Sequence, residues 1–153
     1  MWLNVHLISL AAGAGAVVIM TFLIFTVGYQ FFIGQDGVLL YSMLLQVSFL
    51  PYLTGYALYT SGSEPYWILL WYRVCVSGLL VAPFALELFF ESLLKLHRTV
   101  HRAIIGGLSL LGLALLWFVP DAMAAGDFTI HPGLGLVSVT KGPAYPFVIA
   151  AVF

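Results

Sequence analysis

The apolar residues of this chain form long, nearly uninterrupted runs that short polar segments separate. A helix needs about 20 consecutive apolar residues to cross the hydrocarbon core of a bilayer, and most of these runs reach that length. The pattern predicts an all-α integral membrane helix bundle with four complete transmembrane helices and the start of a fifth. The predicted bounds are about 5–32, 38–60, 66–94, 103–120 and 144–153.

The fifth apolar run is shorter than the others. It begins at Ala144 and has ten residues by Phe153, which corresponds to about 15 Å of helix, or half a crossing. A helix that ended there would leave backbone carbonyl groups without partners in hydrocarbon. The pattern therefore favours a native chain that continues past Phe153, and the sequence alone leaves this open.

The segment 121–143 is too polar to cross a membrane. Apolar and polar residues alternate in 128–131 and again in 136–140, on either side of the turn Pro132-Gly-Leu-Gly135. Alternation on both sides of a turn rich in glycine and proline is typical of a β-hairpin. We expect a short extracytoplasmic hairpin-like loop here, between the fourth and fifth helices.

Composition agrees with this class of protein. Of the 153 residues, 63% are hydrophobic and 7% are charged, whereas a water-exposed surface needs about a quarter of its residues charged. A soluble domain is therefore excluded, and no basic surface suited to nucleic acid is present. The single cysteine, Cys75, excludes an internal disulfide and is expected to be a small packing residue.

The basic residues are concentrated between the third and fourth apolar runs. Lys95, Arg98 and Arg102 are three of the five basic residues in the chain. Because cytoplasmic loops carry an excess of lysine and arginine, loop 95–102 is predicted to be cytoplasmic. The amino terminus and the segment 121–143 then lie outside.

The third apolar run contains the charged residues that lie within a predicted transmembrane helix. Arg73, Glu87 and Glu91 are separated by 14 and 18 residues, which at about 100° per residue places them within about 40° of one line. Arg73 and Glu91 are about 27 Å apart along such a helix, nearly the hydrocarbon thickness. These three residues form a polar stripe and are the candidates for sensing a signal or ligand.

Two interpretations of the stripe follow. In the first, Glu87, Glu91 and Lys95 form an i, i+4 ladder that ends the helix at the membrane surface, and Arg73 extends toward the opposite surface. In the second, Arg73 and Glu87 face the bundle interior, because ionisable groups inside a membrane usually point away from lipid and mark a site. Pro83 lies between them and predicts a bend.

The histidines offer little metal or cofactor chemistry. His97 and His101 are spaced i, i+4, but Arg98 and Arg102 beside them oppose a cation, so no metal site is predicted. Haem ligands must lie at matched depth, which leaves His6 with His131 as candidates for an unidentified cofactor. No nucleophile elbow or phosphate loop is present. The chain is predicted to be non-catalytic.

Several motifs stand in a suggestive order. Pro51 is followed by Gly55-Tyr-Ala-Leu58, the third helix opens with Trp71-Tyr-Arg73 and contains Pro83, and the outer loop closes with Lys141-Gly-Pro-Ala-Tyr145. In this order and spacing the chain resembles the amino-terminal seven-transmembrane sensory region of bacterial histidine kinases and diguanylate cyclases. The resemblance implies a signal-sensing bundle in the bacterial cytoplasmic (inner) membrane with its amino terminus outside. Helices six and seven and any kinase or cyclase output domain would lie beyond this sequence.

Two hypotheses about function follow. In the first, the chain is a membrane-embedded signal-input module, non-catalytic in itself, that responds to a ligand or membrane state near Arg73 and the outer hairpin. In the second, it is a small accessory or structural subunit of a larger photosynthetic or respiratory membrane complex and packs against other subunits or pigments. Both predict the lipid bilayer and other membrane helices, including a second copy of the chain, as partners.

Overall fold

The structure is a computed structural model that describes residues 2–34, 36–61, 64–119, 121–131 and 136–146. Its helices are α1 (Trp2–Gly34), α2 (Gly37–Ser61), α3 (Pro65–Leu94) and α4 (Thr99–Phe118). Two strands follow, β1 (Ala124–His131) and β2 (Leu136–Lys141). Most of the predicted fifth helix, 144–153, lies outside the described residues.

All four helices are long and apolar enough to cross a membrane. This confirms the predicted multi-pass helical bundle. The helices alternate in direction, so the turn between α1 and α2 and the connection between α3 and α4 lie at the same end. We call this the basic end, defined by residues 95–102. The opposite end, where β1 and β2 lie, is the hairpin end.

The closest helix packing is between α2 and α3, and two glycines permit it. A β-carbon on Gly55 would lie 2.6 Å from the carbonyl oxygen of Trp71, and one on Gly78 would lie 2.6 Å from the amide nitrogen of Tyr52. Each distance is far shorter than a carbon atom tolerates, so each glycine lets the facing backbone approach. Such small residues allow helices to associate in lipid, where apolar burial provides little driving force.

The connection between α3 and α4 is shorter than the sequence predicted. Lys95 ends α3 in the left-handed conformation, with φ of 53°, and its amide donates to the carbonyls of Glu91 and Ser92. Arg98 is the N-cap of α4 and accepts the amide of Arg102 at 2.9 Å. The predicted start at Ala103 therefore lies one turn too late. Hydropathy gave a later start because the first turn of α4 is charged and lies just before the apolar run.

The structure confirms the hairpin that was predicted from the alternation of apolar and polar residues. β1 and β2 are antiparallel, with Phe128 opposite Val139 and Thr129 opposite Ser138. Val137 and Val139 are buried, whereas Ser138 and Thr140 between and beyond them are exposed. The buried side of β2 joins a core cluster with residues of α3, α4 and the segment before β1: Ile68, Tyr72, Val76, Leu80, Leu116 and Met123. The hairpin thus covers the hairpin end of the bundle.

Candidate functional site

The charged side chains of α3 divide into two groups at opposite ends of the helix. Glu87 and Glu91 lie toward the basic end, and Arg73 lies toward the hairpin end. At about 1.5 Å per residue, about 21 Å of helix separates Arg73 from Glu87. The structure therefore brings the two glutamates together with the start of α4 and leaves Arg73 apart from them.

Glu91 joins the end of α3 to the start of α4. Glu91 is 8% exposed. One carboxylate oxygen, Oε1, accepts the backbone N–H of Arg98 at 2.8 Å, and Oε2 lies 3.5 Å from Nη1 of Arg102. Because Arg98 is the N-cap of α4, this contact resembles the reciprocal bond of a capping box, but it comes from another helix. It also places a negative charge at the positive end of the α4 dipole.

Glu87 makes a second contact between the same two helices. Its Oε1 lies 2.6 Å from Nδ1 of His101. The Glu87 side chain is 14% exposed and that of His101 is 52% exposed, so the pair lies at the rim of the bundle. The contact is an ion pair when the imidazole carries both protons, and a hydrogen bond from Nδ1–H to the carboxylate when the imidazole is neutral.

A polar pocket of about 180 Å³ opens beside these pairs at the basic end. Glu91, Ser92, His97 and Arg102 contribute polar groups to its wall, together with Tyr41 from α2. Leu88 and Leu96 complete the wall. The pocket therefore combines hydrogen-bond donors from three parts of the chain with one arginine.

Arg73 has a different environment. It is partly buried in α3, and the ion pairs among the described residues, Glu87 with His101 and Glu91 with Arg102, do not include it. Its carbonyl oxygen accepts the hydroxyl of Ser77 at 2.8 Å. The same hydroxyl accepts Nε1–H of Trp117 at 3.0 Å. A hydrogen-bonded chain thus connects α4 to the backbone of α3 beside Arg73.

An open apolar cleft of about 770 Å³ lies along the contact between α3 and α4. Ser77 and Val81 of α3 border it, and Leu110, Leu113, Ala114, Trp117 and Phe118 form the α4 side. Over this stretch α4 does not interlock with α3 as α2 does. The two helices are joined instead by the polar contacts above and by the core at the hairpin end.

The pairing of the glutamates differs from the first interpretation of the stripe. In the described structure the partners of Glu87 and Glu91 are on the start of α4, and Lys95 caps α3. Sequence reasoning missed His101 and Arg102 as partners because it placed them in a loop. Residues equally distant from a short connection face each other in antiparallel helices, and this signal points to Glu91 with Arg102.

The remaining candidates have no described geometry. His6 lies in α1 and His131 is the last residue of β1, and their side chains are outside the described part of the structure. Their role as cofactor ligands stays a prediction. Within the described ranges, no group of three or more His, Cys, Asp or Glu side chains is placed to hold a metal ion.

Comparison of the chain with protein-family models, with curated proteins and with solved structures finds no match.

Proposed function

We propose that this chain is the membrane-embedded signal-input module of a bacterial signalling protein, non-catalytic in itself. The observation that carries the proposal is Arg73, a partly buried cation that has no acidic partner among the described residues. Burying a charge without a partner costs free energy, and such groups inside membrane segments generally serve a function. An anionic ligand, or a change in the surrounding lipid, would supply the missing partner.

The proposed moving part is α4. The glycine contacts at Gly55 and Gly78 make α2 and α3 one closely packed unit. In contrast, α4 lies beside an open cleft and is attached near Arg73 by the hydrogen bond from Trp117 to Ser77. A ligand that binds one position of α4 better than another shifts the population between them. Small helix shifts of this kind are a common switching motion.

The contacts between α3 and α4 at the basic end would change with this shift. Glu87 and Glu91 connect α3 to the first turn of α4 there, so a displacement of α4 along α3 changes both contacts. The proposal therefore assigns Arg73 to sensing and the two glutamates to transmission. Any output domain would receive the change from the helices.

Spin-label distances test this proposal. Labels would replace Leu93 on α3 and Ile104 on α4, both exposed, with the protein in lipid nanodiscs. We expect Arg73→Glu to change the populations of the measured distance, because the new charge alters the environment of the Ser77 and Trp117 contacts. Lys141→Glu is the matched control, since it reverses the charge of the other cation near the hairpin end, which lies 4.5 Å from the centre of the Tyr145 ring. An unchanged distance distribution in Arg73→Glu would overturn the proposal.

The alternative proposal is an accessory or structural subunit of a larger membrane complex. It is favoured by α1, whose side chains Phe22, Phe25 and Phe32 are at least 70% exposed and would suit contact with another subunit or a pigment. Intact mass of the protein from its native membrane, followed by its absorption spectrum and size in mild detergent, separates the two. A longer chain with a kinase or cyclase domain supports the sensor, and a pigmented complex with other subunits supports the alternative.

A further inference from the structure

A third cavity lies between α2 and α3, and it shares Ser77 and Val81 with the cleft beside α4. It is an apolar groove of about 380 Å³, within the range of small-molecule sites. Leu44, Val47 and Pro51 line it from α2, and Ser77, Val81 and Ala85 line it from α3. The groove ends at Leu88, which also lines the polar pocket at the basic end. The two cavities are therefore adjacent, one apolar and one polar.

The length of the groove matches half a bilayer. From Ser77 to Leu88 the axis of α3 rises about 17 Å, and a hydrocarbon core is about 30 Å thick. The groove thus begins near the middle of α3 and reaches the polar pocket where α3 approaches its end. This length is enough for one acyl chain in the leaflet at the basic end.

The polar pocket suits the headgroup that such a chain would carry. No hydrogen bond is found among the described residues for the side chains of Tyr41, Ser92 and His97, and all three line the pocket. Arg102 contacts Glu91 through Nη1 alone, and an arginine has five N–H donors. Glu91 is already occupied by the Arg98 amide and by Arg102. These donors therefore border one pocket and are available to an acceptor such as a phosphate.

We propose that the groove and the pocket together bind one phospholipid with an anionic headgroup, its acyl chain between α2 and α3 and its phosphate at Arg102. Lys95 and Arg98 are exposed beside the pocket and add the positive potential that attracts anionic lipids. This site shares Glu91 and Arg102 with the contact that the sensory proposal assigns to transmission. It does not rest on that proposal, because a structural subunit would bind the same lipid.

Lipid titration followed by native mass spectrometry tests the headgroup contact. The probes are phosphatidylglycerol and phosphatidylcholine with identical chains. We expect phosphatidylglycerol to bind more tightly, and Arg102→Gln to weaken it about tenfold, the loss of one charge-assisted contact. Arg98→Gln removes the same charge outside the pocket and is expected to weaken binding much less, because Arg98 contributes only to the general positive potential. Equal binding of the two lipids, or equal losses in the two variants, would overturn the proposal in favour of general surface attraction.

A substitution in the groove tests the acyl chain. Leu44 is 40% exposed within the groove, and Leu23 on α1 is 42% exposed and outside both cavities. Leu44→Trp fills the groove and is expected to release the lipid, whereas Leu23→Trp is expected to retain it. Equal retention in both variants would contradict the site.

A photoreactive acyl chain on phosphatidylglycerol tests the site in the unaltered protein. We expect its cross-links to map to residues 44–51 and 77–88. Cross-links spread over α1, or the absence of cross-links to 44–51 and 77–88, would overturn the proposal.

Discussion

The carboxylate of Glu87 lies 2.6 Å from Nδ1 of His101, although the two residues are 14 positions apart and belong to different helices. The contact exists because the α3–α4 connection is short and because α4 begins at Thr99, which puts His101 in its first turn. A histidine that sequence analysis weighed only as a metal ligand is thus the partner of an acid on α3.

We predict that Glu87 and His101 are energetically coupled. Both side chains are partly exposed, so the coupling should be about 1 kcal/mol or less. A double-mutant cycle of Glu87→Gln and His101→Gln, measured as the free energy of unfolding in mixed micelles, gives this value. Glu64→Gln combined with His101→Gln is the control, because Glu64 is at the other end of α3. Additive effects of Glu87→Gln and His101→Gln would show that the contact contributes nothing.

Glu91 is predicted to act mainly as an acceptor for the start of α4. Glu91→Leu leaves the Arg98 amide without its acceptor and should lower the free energy of unfolding by about 1–3 kcal/mol. Glu91→Gln keeps a carbonyl oxygen at the same position and should lose less. Both variants remove the charge, so the difference between their free energies of unfolding measures the hydrogen bond. If both variants lose the same stability, the charge of Glu91 matters more than its role as acceptor.

The close packing of α2 and α3 predicts strong sensitivity at its two glycines. Gly55→Ala and Gly78→Ala each force a carbon to within 2.6 Å of the facing backbone, so each should destabilise the bundle by about 1–3 kcal/mol. A β-carbon on Gly107 meets nothing within 4 Å. Gly107→Ala should therefore be neutral or stabilise α4 by up to about 1 kcal/mol. Thermal unfolding in detergent checks all three variants, and a tolerated Gly78→Ala would contradict the observed helix approach.

The hydrogen bond from Trp117 to Ser77 is predicted to be modest in energy. Interhelical hydrogen bonds in membrane proteins average about 0.6 kcal/mol in double-mutant cycles. Ser77→Ala and Trp117→Phe should show a coupling of that size, because each removes one end of the 3.0 Å contact. Ser109→Ala, a buried serine on α4, combined with Trp117→Phe serves as the control and should be additive. No measurable coupling between Ser77 and Trp117 would mean that α4 is held by apolar contacts alone away from the basic end.

Some features of this protein could be predicted from the local pattern of apolar and polar residues. The hairpin followed from the alternation around 132–135, because a strand with one buried face must alternate, and Val137 and Val139 are indeed buried while Ser138 is exposed. The start of α4 could not be predicted in this way, because hydropathy shows where an apolar segment begins and not where a helix begins. Arg98 and Arg102 are charged and His101 is polar, and all three still belong to the cap and first turn of a helix.

The sequence by itself determined the membrane class, the four spanning helices and the hairpin, because each depends on the length or period of an apolar run along the chain. Only the tertiary structure decided that Arg73 stands apart while Glu87 and Glu91 meet α4, and that a groove and a pocket adjoin at Leu88. Those relationships depend on how each helix is rotated about its axis. In lipid, apolar side chains face both the bilayer and neighbouring helices, so hydropathy carries little information about that rotation.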